Sequence, residues 1–202
     1  MAVSKVHPVE AILEAYAAGQ RLFGENRVQE YEQKSAQVRG LEGMAFHLIG
    51  PLQSNKTNKA AELFDAVDAV DSLKIAQRLE TAAKALGKRL PVLIEVKLSH
   101  EESKHGVAPA ELTGLLDAMR GFEAVEAAGL MTVPPWSEDA EVARPYFREL
   151  RRLRDEAAKA HPMVTQLSMG MTNDFVVGIE EGSTCVRVGT AIFGKRVHAK
   201  TT

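Results

Sequence analysis

One cysteine, Cys185, is present among 202 residues, so no internal disulfide can form. Its place in an apolar run reads as a buried thiol in a reducing compartment. No apolar run approaches the roughly 20 residues that cross a bilayer. The opening Met1-Ala2-Val3-Ser4-Lys5 lacks a signal-peptide core. Charge of one sign is lacking too: 25 Lys and Arg stand against 27 Asp and Glu. That balance gives no broad basic field for nucleic acid or anionic lipid. Linkers, low-complexity tracts and obvious repeats are missing, and no Gly-x-Gly-x-x-Gly follows the first strand, which argues against a doubly wound dinucleotide fold. The expectation is a cytoplasmic, monomeric protein forming one domain over residues 1–202, with no nucleic-acid or membrane partner.

What is there is an alternation of strand-length apolar runs with helix-period segments. Strands are expected at 2–4, 21–24, 45–49, 66–70, 91–98, 125–133, 165–169 and 184–193. Helices are expected at about 8–18, 26–39, 55–63, 72–86, 109–119, 138–160 and 173–181. Pro8, Ser72 and Pro109 are start signals, whereas Gly87 and Gly121 sit where helices should stop. Eight strands interleaved with helices predict an α/β fold with a parallel sheet closed into a (β/α)8 TIM-like barrel. The chain starts on its first strand, so a leading helix over the barrel floor is expected to be missing.

Strand alternation puts Val92, Ile94, Val96 and Leu98 on one face and Leu93, Glu95 and Lys97 on the other. The aliphatic face belongs under the helices, so Glu95 and Lys97 point inward. By the same logic Val186 and Val188 face helices and Arg187 faces the interior. Internal ion pairing is one reading of Glu95, Lys97 and His47. Lys5 and Arg187 fall near the C-terminal rim, where barrel active sites form.

Ser168-Met169-Gly170-Met171 ends the expected seventh strand, and Gly189-Thr190 interrupts the eighth. Barrels often bind phosphate there with small residues, backbone N–H groups and a helix N-terminus. Ser168 and Thr190 add hydroxyls, and Gly170 and Gly189 allow close approach; a packing glycine is the plain alternative. A rim lysine facing an anion site suggests a phosphorylated aldehyde held as an imine. Asn26 closes strand two at the same rim, either as a ligand contact or as a helix cap. Gln53–Lys56 reads as a helix start or as a lid.

Several of these segments together resemble a known family: Ala2-Val3-Ser4-Lys5, Phe23-Gly24-Glu25-Asn26, His47 through Lys56, Glu101-Glu102-Ser103-Lys104, Ser168-Met169-Gly170-Met171 and Val186 through Gly194. In this order, over essentially the whole chain, they are similar to the pyridoxal-phosphate homeostasis proteins, single-domain relatives of the alanine racemase N-terminal barrel. The resemblance implies the fold-type III barrel of pyridoxal-phosphate enzymes. It also implies pyridoxal 5′-phosphate as a Schiff base on Lys5, with phosphate contacts from Ser168, Gly170, Gly189 and Thr190. Arg187 would lie by the pyridine ring and Asn26 near the cofactor's oxygen side. Lys104 is a secondary lysine candidate. Glu95 and Lys97 depart from the family's more usual amides, and Thr172-Asn173-Asp174 from its Ser-Asp-Asp.

The implied role is a vitamin B6 carrier that donates the cofactor to apo-enzymes and is not itself an enzyme. A racemase of this type adds a second domain with a tyrosine base, whereas Tyr16, Tyr31 and Tyr146 all fall in expected helices. An arginine at the pyridine nitrogen would also weaken the electron sink. Two other functions stay open: a low-activity amino-acid racemase, for which His47 is the remaining candidate base, and a Schiff-base phosphosugar isomerase or aldolase.

Overall fold

The computed structural model describes residues 1–99 and 105–194. Eight parallel strands run in sequence order around one sheet: β1 (Ala2–Val3), β2 (Leu22–Glu25), β3 (Ala45–Leu48), β4 (Ala66–Val70), β5 (Leu90–Glu95), β6 (Val125–Met131), β7 (Gln166–Met171) and β8 (Cys185–Arg187). A bridge between Ala2 and Val188 brings β8 back to β1, with Val3 N–H donating to Val188 O at 2.8 Å. The sheet is therefore closed into a barrel.

Helices follow each strand: α1 (Val9–Ala17), α2 (Val28–Val38), α3 (Thr57–Leu63), α4 (Leu73–Ala85), α5 (Leu112–Met119), α6 (Arg144–Ala158), α7 (Phe175–Glu180) and α8 (Thr190–Phe193). Local chemistry explains several of their ends. Ser72 Oγ accepts from Ile75 N–H at 3.4 Å at the start of α4. Gly87, at φ 62°, terminates the same helix where a left-handed residue is needed.

Two apolar layers result. The shell between strands and helices holds Phe23, Phe46, Leu48, Val67, Val92, Ile94, Leu130 and Leu167, packed on helix residues such as Ile12, Tyr31, Leu79 and Phe147. A smaller cluster of Ala69, Leu93, Ala128 and Met131 fills the barrel interior. Val92 and Ile94 in the first and Leu93 in the second follow the expected alternation of strand five.

The expected strand 184–193 is corrected by the structure. Sheet pairing stops at Val188, and Thr190 to Phe193 turn into α8. A short apolar run such as Ala-Ile-Phe fits strand and helix equally well by pattern alone. The seventh strand errs the other way, running on to Met171 where 169 was expected.

Candidate functional site

A cavity of about 540 Å3 opens at the C-terminal rim of the barrel. That lies within the range of small-molecule pockets. Lys5, Asn26, Arg187, Gly189 and Thr190 all line it. Lys5 sits in the turn that follows β1, and Asn26 in the first residue after β2. Helix α2 takes Arg27 as its N-cap with no side-chain cap bond. Asn26 is therefore not the cap of α2, and it lines the cavity.

Gly50 makes this placement of Asn26 possible. A Cβ on Gly50 would lie 2.4 Å from Asn26 O and 2.9 Å from its Cα, so only glycine lets the loop after β3 press against Asn26. Ile49, Gly50 and Pro51 form that side of the wall. Gln53 to Lys56 stay outside it: Ser54–Lys56 make a 3-10 turn leading into α3.

Arg187 is buried, and two acceptors fix its guanidinium. Nη1 donates to Ser168 Oγ at 2.7 Å and Nη2 to Thr132 O at 2.9 Å. Burial pushes this group below the usual guanidinium value, against the opposing field of Asp68 and other acidic neighbours. Ser168 and Gly170 do not line the cavity. Because β7 continues to Met171, Ser168 lies a layer lower, fully buried, where its hydroxyl orients Arg187. Gly170, at φ 96°, faces the other way: its Cβ would meet Phe175 Cα at 3.0 Å and Val186 Cγ1 at 3.3 Å. It sets how closely α7 approaches β7, and Met171 to Asp174 take its expected place in the wall.

That segment is tightly folded. Met171 N–H donates to Asp174 Oδ1 at 2.6 Å, and Asn173 Nδ2 donates to Ser137 O at 2.7 Å. The second bond ties the loop after β7 to the loop after β6, which carries Trp136, 76% exposed, at the cavity mouth. Thr190 and Ala191 open α8, where the first N–H groups have no intrahelical acceptor.

Glu95 also lines the cavity, as its inward register predicts, whereas Lys97 does not. His47 lies below the cavity, with Nδ1 3.0 Å from Asp68 Oδ1 on β4. The internal-pairing reading therefore describes His47. The phenols stay away from the rim: Tyr16 donates to Glu42 O, Tyr31 stacks on Phe46 at 4.4 Å, and Tyr146 lies on α6. Lys104 and the Glu101–Lys104 motif fall outside the described residues.

His7 is a wall residue that pattern reading missed. It lines the cavity and stacks on Phe193 at 4.8 Å. A loop histidine two residues before a helix gives no periodic signal. Trp136 and Ser137 were missed for the same reason. The donor set is an amine, a guanidinium, an imidazole, an amide and backbone N–H groups, and no His/Cys/Asp/Glu cluster suited to a metal occurs among the described residues. It fits an anionic aromatic aldehyde such as pyridoxal phosphate.

Comparison with known proteins agrees with this architecture. The family description "Alanine racemase, N-terminal domain" matches residues 1–197. The pyridoxal phosphate homeostasis protein of Vibrio cholerae is 44% identical, over 99% of this chain and 86% of its own. That of Aquifex aeolicus is 41% identical, over 98% and 87%. PipY of Synechococcus elongatus, solved with pyridoxal phosphate bound, superposes with a TM-score of 0.90 at 42% identity, covering 96% of this chain and 91% of its own. Alanine racemase of Clostridium difficile shares the fold alone, with a TM-score of 0.80 at 14% identity over 52% of its length. The chain belongs to the pyridoxal phosphate homeostasis protein family, built on the alanine racemase N-terminal barrel.

Proposed function

We propose that this chain holds pyridoxal 5′-phosphate as a Schiff base on Lys5, keeps it in reserve in the cytoplasm and donates it to apo-enzymes without turning over amino acids. The observation that carries this reading is the convergence of Lys5, Asn26, Arg187, Gly189 and Thr190 on one rim cavity. Relatives at 41–44% identity bear the homeostasis name, and PipY binds the same cofactor.

When bound, pyridoxal phosphate supplies an electrophilic aldehyde, a pyridine ring and a phosphate dianion. Lys5 presents the amine that captures the aldehyde reversibly. Gly189 and Thr190 offer backbone and hydroxyl donors to the phosphate. The Ser168 hydroxyl and the Thr132 carbonyl hold Arg187 in place. A guanidinium has only donors, so a ring nitrogen set against it keeps its lone pair and stays unprotonated. That weakens the electron withdrawal on which amino-acid chemistry depends. No tyrosine lines the cavity among the described residues, and Asp68 holds His47 below it.

The test combines the visible spectrum with two assays. Protein as purified should be yellow, Lys5→Ala colourless, and loaded protein should restore activity to an apo-form of a pyridoxal-phosphate enzyme. Prolonged incubation with L-alanine should yield no D-alanine above the buffer control. D-alanine formation that is lost in Lys5→Ala would replace the carrier by a racemase.

A further inference from the structure

The turn that carries Lys5 is gripped from behind by three charged side chains that do not line the cavity: Glu25, Glu30 and Lys34. Ser4 Oγ donates to Glu25 Oε1 at 2.7 Å. Lys34 Nζ donates to Ser4 O at 3.2 Å, to Glu25 Oε1 at 3.1 Å and to Glu30 Oε1 at 2.7 Å. Glu30 Oε1 also accepts the backbone N–H of Val6. The grip thus falls on Ser4 and Val6, the residues on either side of Lys5. His7 N–H closes the turn on Ser4 O at 3.1 Å.

Two features separate this cluster from an ordinary surface ion pair. The first is backbone strain. Val6, at φ 62°, is the only non-glycine residue with positive φ among the described residues. Left-handed backbone is unfavourable for L residues and most of all for β-branched ones. Val6 is 58% exposed, so side-chain burial does not compensate. Such strain persists only when the surroundings impose it, and here the Ser4–His7 turn and the bond from Val6 N–H to Glu30 both act on it. The second feature is burial. The Glu25 side chain is fully buried, its Oε2 has no hydrogen-bond partner among the described residues, and the Lys34 side chain is only 12% exposed. Buried ion pairs of this kind are poor stabilisers compared with apolar packing. This one stands directly behind the residue whose direction the site requires.

We propose that Lys34, acting through Glu25 and Glu30, is a positioning residue: it clamps Ser4 and Val6 so that the Lys5 amine is presented to the cavity. This inference rests on the reading of Lys5 as the cofactor-bearing lysine. Lys34 never touches the ligand. Its work is to hold the turn in a backbone state that Val6 would otherwise leave.

The test compares the full chain with Lys34→Met, Glu30→Gln, Lys34→Met/Val6→Gly and Lys5→Ala. Two readouts are used. One is pyridoxal phosphate affinity, from titration of the visible band. The other, on protein stripped of ligand, is the rate at which Lys5 is acetylated by acetic anhydride, scored by mass spectrometry against exposed Lys74. Lys34→Met should weaken affinity about tenfold and shift the Lys5 rate, because left-handed strain of this order is no longer held. Adding Val6→Gly should restore most of both, since glycine takes positive φ without cost. A merely stabilising role gives no such rescue, because glycine there only loosens the chain. Wild-type affinity and Lys5 reactivity in Lys34→Met and Glu30→Gln, or no rescue by Val6→Gly, would overturn the clamp. If Lys34→Met does not fold, Glu30→Gln with and without Val6→Gly makes the same comparison. If Lys5→Ala keeps the wild-type band, the reading of Lys5 fails. The Lys5 acetylation rate then judges the clamp alone: a shift reversed by Val6→Gly supports it, and an unchanged rate overturns it.

Discussion

Arg187 is held by Ser168 Oγ and Thr132 O, so its direction is set before any ligand arrives. Ser168→Ala should leave the fold intact and free one arm of the guanidinium. Affinity for pyridoxal phosphate should fall severalfold, as when one hydrogen bond worth about 1 kcal/mol is lost, and titration of the visible band reads the change. The phosphate should dominate binding. Charge-assisted donors contribute roughly 1.5–3 kcal/mol each. Pyridoxal without its phosphate should therefore bind at least about a hundredfold more weakly. Thr190→Asp, at an exposed wall position, should lose the cofactor while melting like the parent protein. Comparable retention of pyridoxal and its phosphate ester would remove the phosphate site from the account.

Helix α4 and strand β6 are joined by one carboxylate. Glu80 accepts the backbone N–H groups of Glu123, Ala124 and Val125 at 2.9, 3.0 and 2.8 Å, satisfying donors where the chain enters β6. Burial alone would raise its pKa, but those three bonds and Lys84 outweigh burial and hold it below the ordinary carboxylate value. A lowered folded-state pKa contributes stability that is present above the unfolded value and lost as pH falls through the folded one. Urea unfolding at pH 7 should show Glu80→Ala destabilised by about 2–4 kcal/mol, since several buried N–H groups lose their acceptor. The penalty should shrink as the parent is taken to acid pH; an equal penalty at both ends would contradict the role.

The same elements show what the sequence could and could not disclose. The facing of strand five was legible because Val92 and Ile94 against Leu93 and Glu95 is an alternation with one aliphatic face, but the strand, expected over 91–98, ends at Glu95. Strand seven is expected to end at 169, and the sheet carries it to Met171. Two residues of extra pairing moved Ser168 from the rim into the layer that orients Arg187. Nothing local marks that depth, since it depends on pairing with β6 and β8. Lys5, Asn26, Gly189 and Thr190 were legible because each ends or interrupts an apolar run. His7 and Trp136 were not, because loop positions leave no period in the sequence, and the i,i+4 spacing of Glu30 and Lys34 marks a helix pair without showing that it reaches the turn of Lys5.

At the scale of the whole molecule, the barrel closes where β1 meets β8, and this seam brings the site together. Val3 N–H on Val188 O joins the strand that leads into Lys5 to the strand that delivers Arg187, Gly189 and Thr190. Lys5 therefore stands beside the expected anion donors although some 180 residues separate them in the chain. The central claim is that this lysine bears the cofactor. Borohydride reduction of the loaded protein, followed by peptide mapping, tests it most directly. The expected result is a pyridoxyl group on Lys5 and no incorporation into Lys5→Ala. A label found only on Lys56 or another lysine, or equal labelling of Lys5→Ala, would contradict it.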